Sequence, residues 1–272
     1  MKLSDYLFLV KVNEDISSSV TLTRFVPNCL SSSNQMVDYK VGLYTQEKNR
    51  TNWKKLDEIF FENNNLSISS YDYNLAVGQI AVVVPCFLDF ELHDNLEVLP
   101  KPISRKTDRA PINERASIIF SMNDEVSSYQ GEFPYQMSCI PKGSMLSFSS
   151  LMALQDKRIK TTCVFINIFS QKITKKKKFN LFIADADTKE KVLCKEYFNN
   201  SACIIDIEGD ENKDYIFYSK DTVGIPIYLS YTESDKNELT VEHTHPPTEL
   251  FWGENKSKQQ AVIKSNWLKI LP

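Results

Sequence analysis

Cys163–Phe169 reads CVFINIF and Phe179–Ala184 reads FNLFIA, with the four lysines of Lys175–Lys178 between them. Runs of this length, rich in branched and aromatic side chains, suit the pleated surface of a buried strand. A cationic stretch between two such runs suits a solvated hairpin turn. The lysines therefore read as a turn rather than a nucleic-acid patch. The overall charge supports this, since 35 acidic residues outnumber 32 basic ones.

The same pattern recurs outward from this pair. Val20–Val26, Val37–Tyr44, Gln79–Val84, Ser117–Phe120, Ala202–Ile207, Tyr215–Ser219, Ile225–Tyr231 and Leu239–His245 are further short apolar runs. Turn-forming clusters separate many of them, including residues 31–34, 63–65, 209–213 and 234–237. Two segments carry a helical rather than an alternating pattern. They are Asn52–Glu62 and Ser144–Lys157, the latter grouping Met145, Phe148, Leu151, Met152 and Leu154. So few helices between strands argue against parallel β-α-β units. The expected class is all-β: an antiparallel β-sandwich or jelly-roll-like fold, in two packed domains with one or two short helices.

Leu99–Asn113 (LPKPISRKTDRAPIN) is rich in proline and basic residues and lacks apolar periodicity. It is the expected connector, giving an N-terminal β-domain over 1–100, a linker over 101–113 and a C-terminal β-sandwich over 114–272. Hydrophobic content of 42% in 272 residues suffices for two cores, and a net charge of -3 excludes a disordered polyelectrolyte.

Seven glycines are spread so that no two lie within ten residues. Phosphate-binding loops need closely spaced glycines so that backbone N–H groups can reach the anion. The dinucleotide fingerprint, the P-loop and the G-x-S-x-G nucleophile elbow are all absent. The longest apolar run, Ile80–Leu88, is far below a membrane span and contains Pro85. Six cysteines form no C-x-x-C pair and read as reduced thiols. Together with the lack of a signal-peptide core near Met1, these features lead to the expectation of a soluble, cytoplasmic protein without a membrane span.

One segment concentrates polar chemistry: Leu239–Gly253, LTVEHTHPPTELFWG. It holds His243 and His245, two of the chain's three histidines, with Glu242, Glu249 and Trp252 nearby. On a strand, alternate positions share one face, so His243 and His245 would project together. Pro246 and Pro247 would end the ladder and stiffen a loop presenting Glu249, Phe251 and Trp252. Aromatic, imidazole and carboxylate groups on a loop suit a sugar or an extended peptide. The leading expectation is a non-enzymatic binding or assembly module for a carbohydrate or protein partner, needing no cofactor. Its candidate ligand-binding residues are Glu242, His243, His245, Glu249 and Trp252.

The spacing H-x-H-x-x-x-E over 243–249 resembles the first metal motif of the cupin family, a β-barrel fold. That resemblance implies a divalent transition metal held by His243, His245 and Glu249, and hence a metal-dependent enzyme. No histidine follows His245 to supply a later ligand, so this reading ranks second. A structural subunit of a larger assembly, with oligomerisation, is the third. Asp185 and Asp187 form a further candidate carboxylate pair, and Asp206, Glu208, Asp210 and Asn212 alternate as an acidic hairpin end.

Overall fold

The computed structural model describes residues 3–24, 37–46, 52–61, 65–105, 116–129, 133–134, 144–147, 157–168, 178–207, 213–221, 225–243, 262, 266 and 268–272. The described residues form antiparallel sheets, as the alternating patterns required. The chain divides into two compact units, Met1–Cys139 with Ile168–Lys175, and Ile140–Asn167 with Lys176–Pro272.

In the first unit one sheet is built from β1 (Leu3–Val10), β3 (Tyr39–Gln46), β4 (Trp53–Phe60), β6 (Ile80–Phe87), β7 (Asn95–Leu96), β8 (Ser104–Arg105) and β11 (Phe133–Pro134). Its order is β11-β1-β6-β3-β4-β7, with β8 also pairing β1. A second sheet has the order β10-β9-β2-β5, from β2 (Ile16–Thr23), β5 (Asn65–Ser69), β9 (Ser117–Met122) and β10 (Glu125–Tyr129). In β9 the burial alternates, with Ile118, Phe120 and Met122 inside, which is the signature of a strand with one wet face.

The central strands of the first sheet behave differently. Residues 6–10, 39–45 and 80–86 are buried at every position, so both faces of the sheet are covered. The segment 88–103 covers the part of the face that carries Gly42 and Tyr44, while Phe8 on the same face meets Phe120 of β9 at 6.2 Å between ring centroids. Tyr6 donates its hydroxyl to the Pro100 carbonyl at 3.0 Å, and Tyr44 donates to the His93 carbonyl at 3.3 Å. Leu92, Leu99 and Ile103 are buried beneath this cover. On the other face the Tyr39 hydroxyl donates to the Thr23 carbonyl of β2 at 2.7 Å. Pro85 fits in mid-strand because its carbonyl accepts from Ile103 N at 2.9 Å on the side where β1 has diverged. Its missing N–H faces that same side, where no ladder bond is lost.

Residues 101–113, expected to link two domains, contain β8, which pairs with β1. Beyond them β9 pairs with β2, and the division into compact units falls at Cys139/Ile140. Asn52–Glu62 is not a helix: Trp53–Phe60 pairs residue by residue with β3, with a bulge at Leu56. Helix propensities differ by only tenths of a kcal/mol per residue, and an eight-residue ladder outweighs them. In the same way the start of the second expected helix, Ser144–Ser147, is β12 and pairs with β17 (Tyr215–Ser219). Residues 148–156 of that segment lie outside the described residues.

The second unit pairs a sheet of order β12-β17-β14-β15 with one of order β16-β13-β18-β19. The strands are β13 (Ile159–Asn167), β14 (Lys178–Asp185), β15 (Lys191–Phe198), β16 (Ser201–Ile207), β18 (Ile225–Thr232) and β19 (Leu239–His243), besides β12 and β17. Cys163, Phe165 and Tyr228 from one sheet meet Phe179, Leu181, Ile183 and Phe217 from the other in a single core. The aromatic pairs Phe165–Phe179 and Phe217–Tyr228 lie at 6.0 and 6.1 Å between ring centroids. The outer face of β14 and β17 carries Phe182, Ala184, Ile216 and Tyr218. It is covered by the chain end, where 268–270 is helical and Leu271 is buried. Tyr218 donates its hydroxyl to the Pro272 carbonyl at 2.7 Å and Lys220 donates to the Leu271 carbonyl at 2.8 Å.

Two substitutions test this packing by urea unfolding. Gly42→Ala places a methyl 2.8 Å from the buried Tyr44 ring and 3.1 Å from Leu92, and is expected to cost about 1–3 kcal/mol. Phe217→Ala, within the second core, is expected to cost about 3–5 kcal/mol. Stabilities equal to the native chain in both would contradict the described packing.

Candidate functional site

The sequence-based candidates begin on β19. Among the described residues this strand ends its sheet, with β18 the neighbour given by the register. Glu242 lies opposite Tyr228, and His243 opposite Ile227. These two successive positions therefore belong to opposite faces of the sheet. Glu242 is half-buried on the face that carries Tyr228 and Cys163. The Tyr228 ring is almost fully buried and its hydroxyl has no hydrogen-bond partner among the described residues. Burial raises the Tyr228 pKa well above its usual value, with smaller contributions from Cys163 and Glu242. Tyr228 is thus a neutral phenol at any ordinary pH. His243 is described in its backbone only, and His245, Glu249 and Trp252 lie outside the described residues.

The third histidine, His93, lies elsewhere, exposed in the 88–103 segment with Nδ1 3.6 Å from Glu91. Among the described residues, no three His, Cys, Asp or Glu side chains gather as a metal site would require. Nor do Asp185 and Asp187 form an acid–base pair. Asp185 Oδ1 accepts from the backbone N–H groups of Asp187 and Thr188 at 2.9 and 2.8 Å. It closes the turn after β14, and these hydrogen bonds lower its pKa. Asp206 on β16 accepts from the Thr162 hydroxyl at 2.9 Å, a cross-strand bond within the sheet.

The structure adds a site that the sequence reading missed. At the end of β6, Phe90 N donates to the Phe87 carbonyl at 3.1 Å and closes a tight turn over 87–90. Phe87, Leu88 and Phe90 remain 38%, 48% and 45% exposed, although most aromatic rings of this size in the described residues are buried. Cys86, Phe87, Phe90, Lys101, Pro102 and Ile103 line a cleft of about 200 Å³ beside this turn. A signal was present in the sequence: the apolar run from Ile80 carries on past Pro85 into Phe87, Leu88 and Phe90, farther than one buried strand needs.

The floor of the cleft continues into a charged stripe. Cys86 lies opposite Lys40, and Lys40 opposite Phe60, so the three share one face. The nearly buried Lys40 ammonium sits 2.8 Å from the Glu58 carboxylate and 5.8 Å above the Phe60 ring. A buried ammonium needs such a partner, because leaving it unpaired costs several kcal/mol. Burial is the main reason the Cys86 thiol is pushed up to about 12, with Lys40 pulling the other way. Cys86 is therefore a protonated, inert thiol rather than a nucleophile.

A thiol whose pKa rises on folding stabilises the protein fully below its unfolded value of about 9. That contribution is lost as pH rises from 9 towards 12, where unfolded chains release the proton first. Cys86→Ala is accordingly expected to flatten the fall in stability between pH 8 and 10.5 on denaturant titration, after equal correction for its cavity. An unchanged pH slope would contradict the assignment.

The chain matches no family model and no curated protein. Among solved structures it is similar to a glycosyl hydrolase family 2 member from Bacteroides cellulosilyticus, at 10% identity and a TM-score of 0.20. The match covers 88% of this chain and 27% of that one, so the chain spans about a quarter of that structure's length. No helix among the described residues is long and apolar enough to cross a membrane.

Proposed function

We propose that this chain is a binding or assembly module without catalysis of its own, which engages a carbohydrate or protein partner at the β19 edge and the Glu242–Trp252 segment. The observation that carries the reading is the position of β19 at the end of its sheet. An edge strand holds main-chain N–H and C=O groups in a row that an extended ligand can meet. The residues that follow, from His243 to Trp252, bring imidazole, carboxylate and indole to that same edge in the sequence. Imidazole and carboxylate supply donors and acceptors for hydroxyls or amides, and an indole supplies a flat apolar surface.

Partners captured from a lysate and identified by mass spectrometry, or glycans detected on an array, provide the ligand for the test. Replacing His245 and Trp252 together by alanine is expected to weaken binding at least about tenfold, the loss of one anchoring aromatic and its hydrogen-bonding neighbour. The thermal unfolding midpoint should stay close to that of the native chain. Unchanged binding in this variant contradicts the site. Stoichiometric transition metal in protein purified without a histidine tag would instead support the metal-dependent enzyme built on His243, His245 and Glu249.

A further inference from the structure

The second unit leaves part of its core uncovered at β15. Among the described residues this strand ends its sheet, and β14 is the strand that pairs with it. Its inner row is Leu193, Lys195 and Tyr197, which lie opposite Ile183, Leu181 and Phe179 of the core. Leu193 and Tyr197 pack against that core yet stay half-buried, and the Tyr197 ring sits 6.2 Å from Phe179. A strand added beside β15 would close the apolar interior at this edge.

An exposed cation stands between these two side chains. Lys195 belongs to the same row, and among the described residues no carboxylate pairs with it. The other charges of the strand are occupied. Glu196 on the outer row is matched by Lys178 at 2.5 Å, and the Lys191 ammonium rests 4.5 Å above the Phe182 ring.

An inward-facing lysine on an edge guards against indiscriminate pairing. An apolar strand would bury its ammonium without a partner. A second copy of β15, paired about its middle, would set Lys195 against Lys195. A strand with a carboxylate opposite Lys195 meets neither cost. The edges of β10, β16 and β19 carry Glu125, Asp206 and Glu242 instead, so this preference belongs to β15 among them.

We infer that the β15 edge docks an extended, acidic segment of a partner protein with the pattern apolar-x-acidic-x-apolar. The main chain of the segment pairs with the open edge, its two apolar side chains cover Leu193 and Tyr197, and its carboxylate meets Lys195. The inference goes beyond the β19 reading, because β19 ends the other sheet of this unit.

The test titrates three end-capped peptides into the isotope-labelled full chain and follows its amides by NMR. TVTETVT carries the pattern, TVTKTVT reverses its charge, and TTVVTTE keeps the composition without the alternation. TVTETVT is expected to shift the amides from Leu193 to Tyr197 and to bind about threefold or more tighter than the other two, the worth of one exposed ion pair. Lys195→Glu should reverse the preference in favour of TVTKTVT, with the fold intact because the side chain is exposed. The paired His245 and Trp252 alanine variant should leave the binding of TVTETVT unchanged. Equal binding of TVTKTVT or TTVVTTE by the native chain overturns the inference, as does a preference that survives Lys195→Glu. Shifts on β19 in place of β15 overturn it in favour of the other edge. No shift with any peptide, while His245 and Trp252 still govern binding of a captured partner, overturns the β15 site and leaves the β19 module standing.

Discussion

A sheet whose central strands are apolar on both faces has to be covered twice. That constraint organises the first unit. β1, β3 and β6 bury every residue over their middle stretches, so a second sheet on one face would leave the other exposed. At about 25 cal/mol for each Å² of apolar surface removed from water, covering the second face stabilises the fold. The 88–103 segment supplies the cover through Leu92, Leu99 and Ile103, and Tyr6 and Tyr44 pin its backbone with hydroxyl donors. Gly42 lies below it because a side chain there would collide with Tyr44 and Leu92. The second unit meets the same demand with a different device, laying the chain end over Phe182, Ile216 and Tyr218.

The cover also explains where binding chemistry arises. A segment pinned over its middle must start and finish somewhere, and here it starts with the 87–90 turn. Phe87, Leu88 and Phe90 stay exposed at that start while Pro102 and Ile103 return beside them, so the cleft lies where the two ends of the cover meet. The thiol beneath it is held neutral by burial, and the Lys40 ammonium on the same sheet face is committed to Glu58. Shape and apolar surface, rather than a nucleophile or an acid–base pair, are what this place offers a ligand. Asp185, one of the candidate carboxylate pair with Asp187, closes a turn instead.

Much of the fold was legible. Every alternating run from Val20–Val26 to Leu239–His245 overlaps a strand, and Tyr215–Ser219 matches its strand end for end. Two of the strands that escaped notice share a physical reason. β15 (Lys191–Phe198) is an edge strand whose burial is incomplete throughout, so its sequence carries little alternation. β4 holds Lys54, Lys55, Asp57 and Glu58 because its outward positions are wet, and such residues also favour helices. Only long-range pairing with β3 distinguishes the two, and pairing partners are not written in a local window. The site was legible in part. The alternation before the two prolines placed Glu242 and His243 on a strand, while the position of that strand at the end of its sheet is set by long-range pairing. The 86–103 cleft was not legible, because it depends on residues some fifteen positions apart being brought together by a cover whose existence the sequence shows only as an irregular, proline-bearing stretch.

Native-state hydrogen exchange tests the cover most directly. Ile103 N donates to Pro85, and Lys55 N donates to Asp94 within the segment. If the cover is integral to the sheet, these two amides exchange with protection close to that of the β3 amides, because they open only when the sheet does. Exchange at Ile103 and Lys55 a hundredfold or more faster than in β3 would show the segment to be a detachable loop and would contradict the account.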